Sequence, residues 1–113
     1  MSKLLKNIVK TIDEGKGEDI VIIDVSKSSP ICDYFVICSA GNERLVNSLA
    51  DKVEKNLKMN DHEIKIKDGK GTPWILIDTG EVIVHVFHNE EREKYRLEEL
   101  WKVFPTLDYK DFI

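Results

Sequence analysis

The 113-residue chain carries 17 basic and 21 acidic side chains, a net charge of −4, with 42% hydrophobic and 34% charged residues. That length supports one hydrophobic core and excludes two ordinary ones, so a single domain over 1–113 is expected, with 103–113 as a short C-terminal tail. Apolar runs such as Tyr34 to Cys38 fall far short of the ~20 residues a membrane helix needs, which excludes a helical membrane protein.

Leu4, Leu5, Ile8, Val9 and Ile12 recur at helical spacing and predict a first helix ending near Gly15 and Gly17. Its start is basic and amphipathic in the manner of a transit peptide. Asp13, Glu14, Glu18 and Asp19 follow at once and no small-residue cleavage site is visible, so an ordinary helix of a cytoplasmic protein is expected. Asp19 to Val25 is β-branched and apolar as a buried strand, Ser26 to Pro30 supply a turn, and Asp33 to Ala40 read as a second strand. Cys32 and Cys38 are then about 20 Å apart at ~3.3 Å per residue, too far to pair, and are expected as free thiols.

Gly41 and Asn42 break the extended run, with Asn42 as N-cap of a helix whose apolar face is Leu45, Val46, Leu49, Val53 and Leu57 and whose wet side is Lys52, Glu54, Lys55 and Lys58. Ile64 and Ile66 alternate with polar neighbours as a short strand, and Asp68 to Pro73 form a glycine-containing loop. Trp74 to Thr79 and Val82 to His88 predict an antiparallel hairpin across Gly80. Asn89 is expected to cap a last helix with Glu90 and Glu91 in its first turn, Tyr95, Leu97, Leu100 and Trp101 as its apolar residues, and Pro105 at its end. Together these elements predict an α/β (α+β) domain, a mixed sheet of about five strands flanked by helices.

Charge is distributed unevenly. Residues 1–75 hold twelve acidic and twelve basic side chains, whereas 76–113 hold nine and five, so the whole acidic excess lies in the last third. A basic partner is favoured there, and naked nucleic acid is repelled. Lysines on the second helix and at Lys65, Lys67 and Lys70 stand apart from the aromatic residues of the acidic third, which separates the two halves of an RNA site.

Catalytic readings find little support. His85 and His88 are an odd number of positions apart on one strand and point to opposite faces, so they do not chelate one ion, and no cofactor or metal is expected. His85, between Val84 and Val86, reads as a partly buried imidazole with one hydrogen-bond partner. Cys38 has apolar neighbours and reads as structural, and no GxGxxG fingerprint is present. The turn Ser39 to Glu43 is how a metal-dependent nucleotidyltransferase begins its site, but such an enzyme needs two carboxylates one residue apart on a following strand. Asp61 and Glu63 have that spacing only at a turn, and Asp78 stands alone. That enzyme, and a homodimeric adaptor for another basic protein, are the alternatives to a docking factor.

Two motifs in order, DYFVICSAGNERLVNSLADKV at 33–53 and WILIDTGEVIVHVF continuing to YRLEELW at 74–101, resemble the Iojap or RsfS family of ribosomal silencing factors. The resemblance covers nearly the whole chain. It implies a nucleotidyltransferase-like fold without catalysis, a homodimer, and binding to ribosomal protein L-fourteen of the large subunit that blocks joining of the small subunit. It also implies a docking surface on Trp74, Leu76, Asp78, Thr79, Gly80 and Glu81, with acidic support from Glu90 and Glu91. Strand alternation puts Trp74, Leu76 and Asp78 on one face; the alternative for Trp74 is core packing against the last helix. Thr79, where the family often has a larger apolar residue, and Lys94, where it often has an aromatic one, depart from the pattern.

Overall fold

The computed structural model describes residues 2–113. The elements run α1 (Lys3–Glu14), β1 (Glu18–Asp24), β2 (Tyr34–Ala40), α2 (Glu43–Met59), β3 (Ile66–Asp68), β4 (Trp74–Asp78), β5 (Val82–His88), α3 (Asn89–Tyr95), α4 (Leu97–Leu100), β6 (Thr106–Leu107) and a 3-10 turn, Tyr109–Phe112. The strands form one sheet in the order β3-β4-β5-β2-β1-β6, in which β2 and β5 are parallel and the other neighbours antiparallel. The α+β architecture with a mixed sheet is as expected, with six strands rather than about five.

The two faces of the sheet are covered differently. On one, Leu5, Ile8, Val9 and Ile12 of α1 and Val46, Leu49, Val53 and Leu57 of α2 bury against Ile22, Val36, Cys38, Ile75, Ile77, Val84 and Val86. Each such side chain taken from water contributes roughly 1.5–3 kcal/mol, so this layer holds most of the fold's stability. Ser2 and Asn42 start these helices, their side-chain oxygens accepting from the N–H of Leu5 (3.2 Å) and Leu45 (2.8 Å). Leu45 itself, expected on the apolar face, is exposed. On the opposite face, Ile23, Val25, Ile37 and Phe87 are buried beneath Leu97, Trp101 and Phe104, and the cover is thinner.

Three details depart from the expected elements. The strand around Ile64 begins only at Ile66, with Ile64 half-buried against the core, and Lys67, expected in solvent, lies across α2 with its ammonium 2.7 Å from Asp51 and 2.9 Å from Glu54. The last helix is capped by His88, not Asn89: His88 is extended and its Nδ1 accepts from the Glu90 N–H at 3.1 Å. That helix also breaks at Arg96, which takes φ 47°, and leaves Tyr95 and Leu100 exposed. Tyr95 and Leu97 are about 200° apart on a straight helix, so a bend is needed to bring Leu97 and Trp101 onto the sheet.

Residues 103–113, expected as a tail, complete the sheet. Thr106 and Leu107 pair with β1, and Phe112 is buried with α1 at 2% exposure. Arg92 fastens α3 to the sheet: its Nη1 donates to Ser39 Oγ (3.1 Å) and the Glu18 carbonyl (3.3 Å), and its Nε to Glu98 (3.2 Å).

Candidate docking face

Strand β4 alternates as its sequence requires. Ile75 and Ile77 enter the helix-covered core, and Trp74, Leu76 and Asp78 are half-buried together on the thinly covered face. Cross-strand register places His85 beside Leu76, Phe87 beside Trp74 and Ile83 beside Asp78. On the outer side, Asp68 of β3 stands beside Leu76, and Ile66 beside Asp78.

Aromatic contacts stiffen this face. The Trp74 ring stacks on Phe87 at 4.7 Å and meets Tyr95 at 5.0 Å, while Phe35 packs edge-on against both His85 (5.7 Å) and Trp101 (5.0 Å). The Trp74 Nε1–H donates to His85 Nδ1 at 3.1 Å. His85 is buried at 7% exposure, and desolvation pushes its pKa down to about 4, so the ring is neutral at pH 7 with its proton on Nε2. The imidazole with a single hydrogen-bond partner is therefore realised, and that partner is the tryptophan of the site.

The hairpin end is shaped by short polar bonds. Gly80 takes φ +91°, a left-handed conformation that glycine supplies without strain, and its N–H donates to Asp78 Oδ1 at 2.8 Å. Thr79 is turned inward: its hydroxyl donates to the Val82 carbonyl (2.8 Å) and accepts the Val82 N–H (3.1 Å), and the residue is 9% exposed. A small β-branched hydroxyl closes this turn from inside and presents no side chain outward. Glu81 is half-buried at the same end, next to Asp78.

Glu90 and Glu91 lie beyond the other end of β4, where they line a shallow concavity with Glu43, Pro73 and His88. Trp74 and Asp78 are four residues apart, about 13 Å at ~3.3 Å per residue. The expected residues thus form a strip with an apolar centre and carboxylates at both ends, rather than one convergent cluster. Sequence reasoning missed two of its parts, the support of Trp74 by His85 and the flank supplied by Asp68 and Gly69. Both depend on cross-strand register, which alternation within one strand does not reveal.

Geometry bears on the enzyme reading. Ser39 shares a row with Phe87 and Trp74, whereas Asp78 shares one with Ile83 and Phe35, four residues along the sheet. The Ser39 hydroxyl is held by Arg92, and Asp61 and Glu63 lie past the end of α2. Cys38 is fully buried and its thiol is pushed up to about 12, which removes the thiolate a nucleophile requires. Cys32 and Cys38 are both free and lie in different apolar clusters on opposite sides of the sheet. Among the described residues no three His, Cys, Asp or Glu gather as metal ligands, and no helix is long and apolar enough to cross a membrane.

The family described as "Ribosomal silencing factor during starvation" matches residues 1–112. A relative from Halalkalibacterium halodurans named "Ribosomal silencing factor RsfS" is 38% identical, over 98% of this chain and 96% of its own. A Mus musculus relative named "Mitochondrial assembly of ribosomal large subunit protein 1" is 32% identical over 83% of this chain, which spans 43% of its length. A crystal structure of a Chromobacterium violaceum protein superposes with a TM-score of 0.86 at 30% identity, covering 90% of this chain and 88% of that one.

Proposed function

This chain belongs to the RsfS family of ribosomal silencing factors, and from that premise we propose that it silences by occupying the large ribosomal subunit and sterically blocking the small one. The contact runs through the β4 face to ribosomal protein L-fourteen, with Trp74 and Leu76 as apolar anchors and Asp78, Glu81, Glu90 and Glu91 as flanking charge. No bond is made or broken in this mechanism. A copy seated on the subunit interface keeps the small subunit away for as long as it stays bound.

The observation that carries the reading is the half-exposed Trp74 and Leu76 on a rigid aromatic bed, bordered by carboxylates. Interface hot spots take this form, a large ring fixed in a packed setting with polar groups around it. Ribosomal proteins are generally basic, and a complementary acidic border speeds their encounter with this surface. Homodimerisation of this chain and residence in the cytoplasm, where ribosomes work, are parts of the same proposal.

Sedimentation tests it directly. The protein is mixed with purified bacterial large subunits and run on a sucrose gradient, and small subunits are then added. Comigration with the large subunit and loss of the joined ribosome are expected; a protein left at the top of the gradient with normal joining refutes the proposal.

A further inference from the structure

A second recognition element adjoins Trp74. Asp68, Gly69, Trp74 and Leu76 line a concavity of about 270 Å³ at the outer edge of the sheet, distinct from the Asp78 turn. Its walls differ in chemistry: the half-buried Trp74 ring and Leu76 side chain are apolar, and Asp68 at the rim is exposed. The Asp68 carboxylate has no ion-pair partner among the described residues. Its Oδ1 accepts the Gly69 N–H at 2.9 Å, which orients the group, and the residue is exposed.

Gly69 is required for the concavity to exist. It takes φ +92°, and a Cβ there would collide with the Trp74 carbonyl oxygen and lie 3.2 Å from the Ile75 Cα. Backbone cannot yield to that collision, so no side chain can stand where the Asp68 turn passes β4. The Thr72 hydroxyl fixes the same turn: its single proton lies between the Gly69 (2.6 Å) and Trp74 (2.9 Å) carbonyls, either of which can accept it.

We propose that this concavity is a socket for one basic side chain, arginine or lysine, of the protein on which the β4 face docks. The aliphatic stem lies on Trp74 and Leu76, and Asp68 Oδ2 accepts an N–H of the cationic head. Each part answers one part of the ligand: apolar surface of Trp74 and Leu76 for the methylenes, and an oriented carboxylate for the cationic head. An anionic or purely apolar occupant leaves Asp68 unpaired in the interface. The inference rests on the docking reading and names the chemistry recognised at that face.

Asp68→Asn tests it, because asparagine keeps the Oδ1 that accepts the Gly69 N–H and replaces the charged Oδ2 acceptor with an amide NH2 that cannot accept. Binding to purified large subunits is measured at about 50 mM and 500 mM salt for the wild type, Asp68→Asn, Asp68→Lys and Trp74→Ala. Asp68→Asn is expected to weaken binding roughly three- to tenfold at low salt, Asp68→Lys more, and both gaps should narrow at high salt where exposed charge is screened. Wild-type affinity for Asp68→Asn and Asp68→Lys, beside a loss for Trp74→Ala, overturns the socket and leaves the docking reading standing. A wild type that does not bind overturns both.

Discussion

The hydrogen bond between Trp74 and His85 makes a pH prediction that is independent of any partner. Burial pushes the His85 pKa down to about 4 from an ordinary 6.5, so between these values the unfolded chain binds a proton that the folded chain does not. Stability from this residue is therefore fully present above pH 6.5, falls as the pH drops through the window, and levels off below about 4. A shift of this size corresponds to roughly 3 kcal/mol in total, of which about 2 kcal/mol is lost by pH 5. The cause is local: a protonated Nδ1 would face the Trp74 Nε1–H donor to donor in a pocket with little water. His85→Gln keeps an acceptor and removes the titration. Urea unfolding of the two proteins at pH 7.5, 6 and 5 is expected to give curves that diverge, with the wild type losing about 2 kcal/mol more than the variant across the range. Parallel curves would show that His85 titrates normally in the folded chain, and the account of a neutral imidazole holding the indole would be wrong.

On the proposed docking mode, Trp74→Ala should weaken large-subunit binding by about 2 kcal/mol or more while leaving a folded protein by circular dichroism, since the ring is only half-buried on the thinly covered face; an unfolded variant would make Trp74 a core residue instead. Phe112→Ala should cost about 3–5 kcal/mol in thermal or urea unfolding, because the side chain is 2% exposed against α1; a loss below 1 kcal/mol would mean that the C-terminal segment is not packed as described. Reversing Glu90 and Glu91 together to lysine should slow association with large subunits at low salt by several-fold and change dissociation little, as border charges act on encounter; stopped-flow rates that do not move would remove these residues from the interface.

Much of the fold was readable because its signals are periodic. The apolar faces of α1 and α2 and the alternation of β4 each repeat over several turns or residues, and local pattern agrees with tertiary burial at Ile8, Val53, Ile75 and Ile77. What was not readable depended on partners distant in sequence. Thr106 and Leu107 carry too little pattern to announce a strand and become one because β1 offers a free edge. Nothing local marks Arg92 as buried, yet Ser39, 53 residues earlier, accepts from its guanidinium. Thr79 illustrates the same limit at the site: resemblance alone put it among docking residues, while the hydroxyl closes its own turn three residues on. The N-cap was misplaced by one residue because asparagine is the usual capping residue, and nothing in the sequence marks that the His88 Nδ1 accepts the Glu90 N–H.

The question whether Trp74 is core or surface resolves into a division within one side chain. One side of its ring stacks on Phe87, its N–H is held by His85, Tyr95 confines it, and the remaining surface borders the concavity with Asp68 and Leu76. A free surface tryptophan would lose rotamer freedom on binding, about 0.5–1.5 kcal/mol for each side chain immobilised. Here that ordering has already occurred on folding, offset by apolar burial and the indole hydrogen bond. Under the proposed docking mode, the folding contacts of Trp74 favour binding instead of competing with it, and a variant that loosens His85 is expected to weaken large-subunit binding on the same sucrose gradient without touching the interface itself.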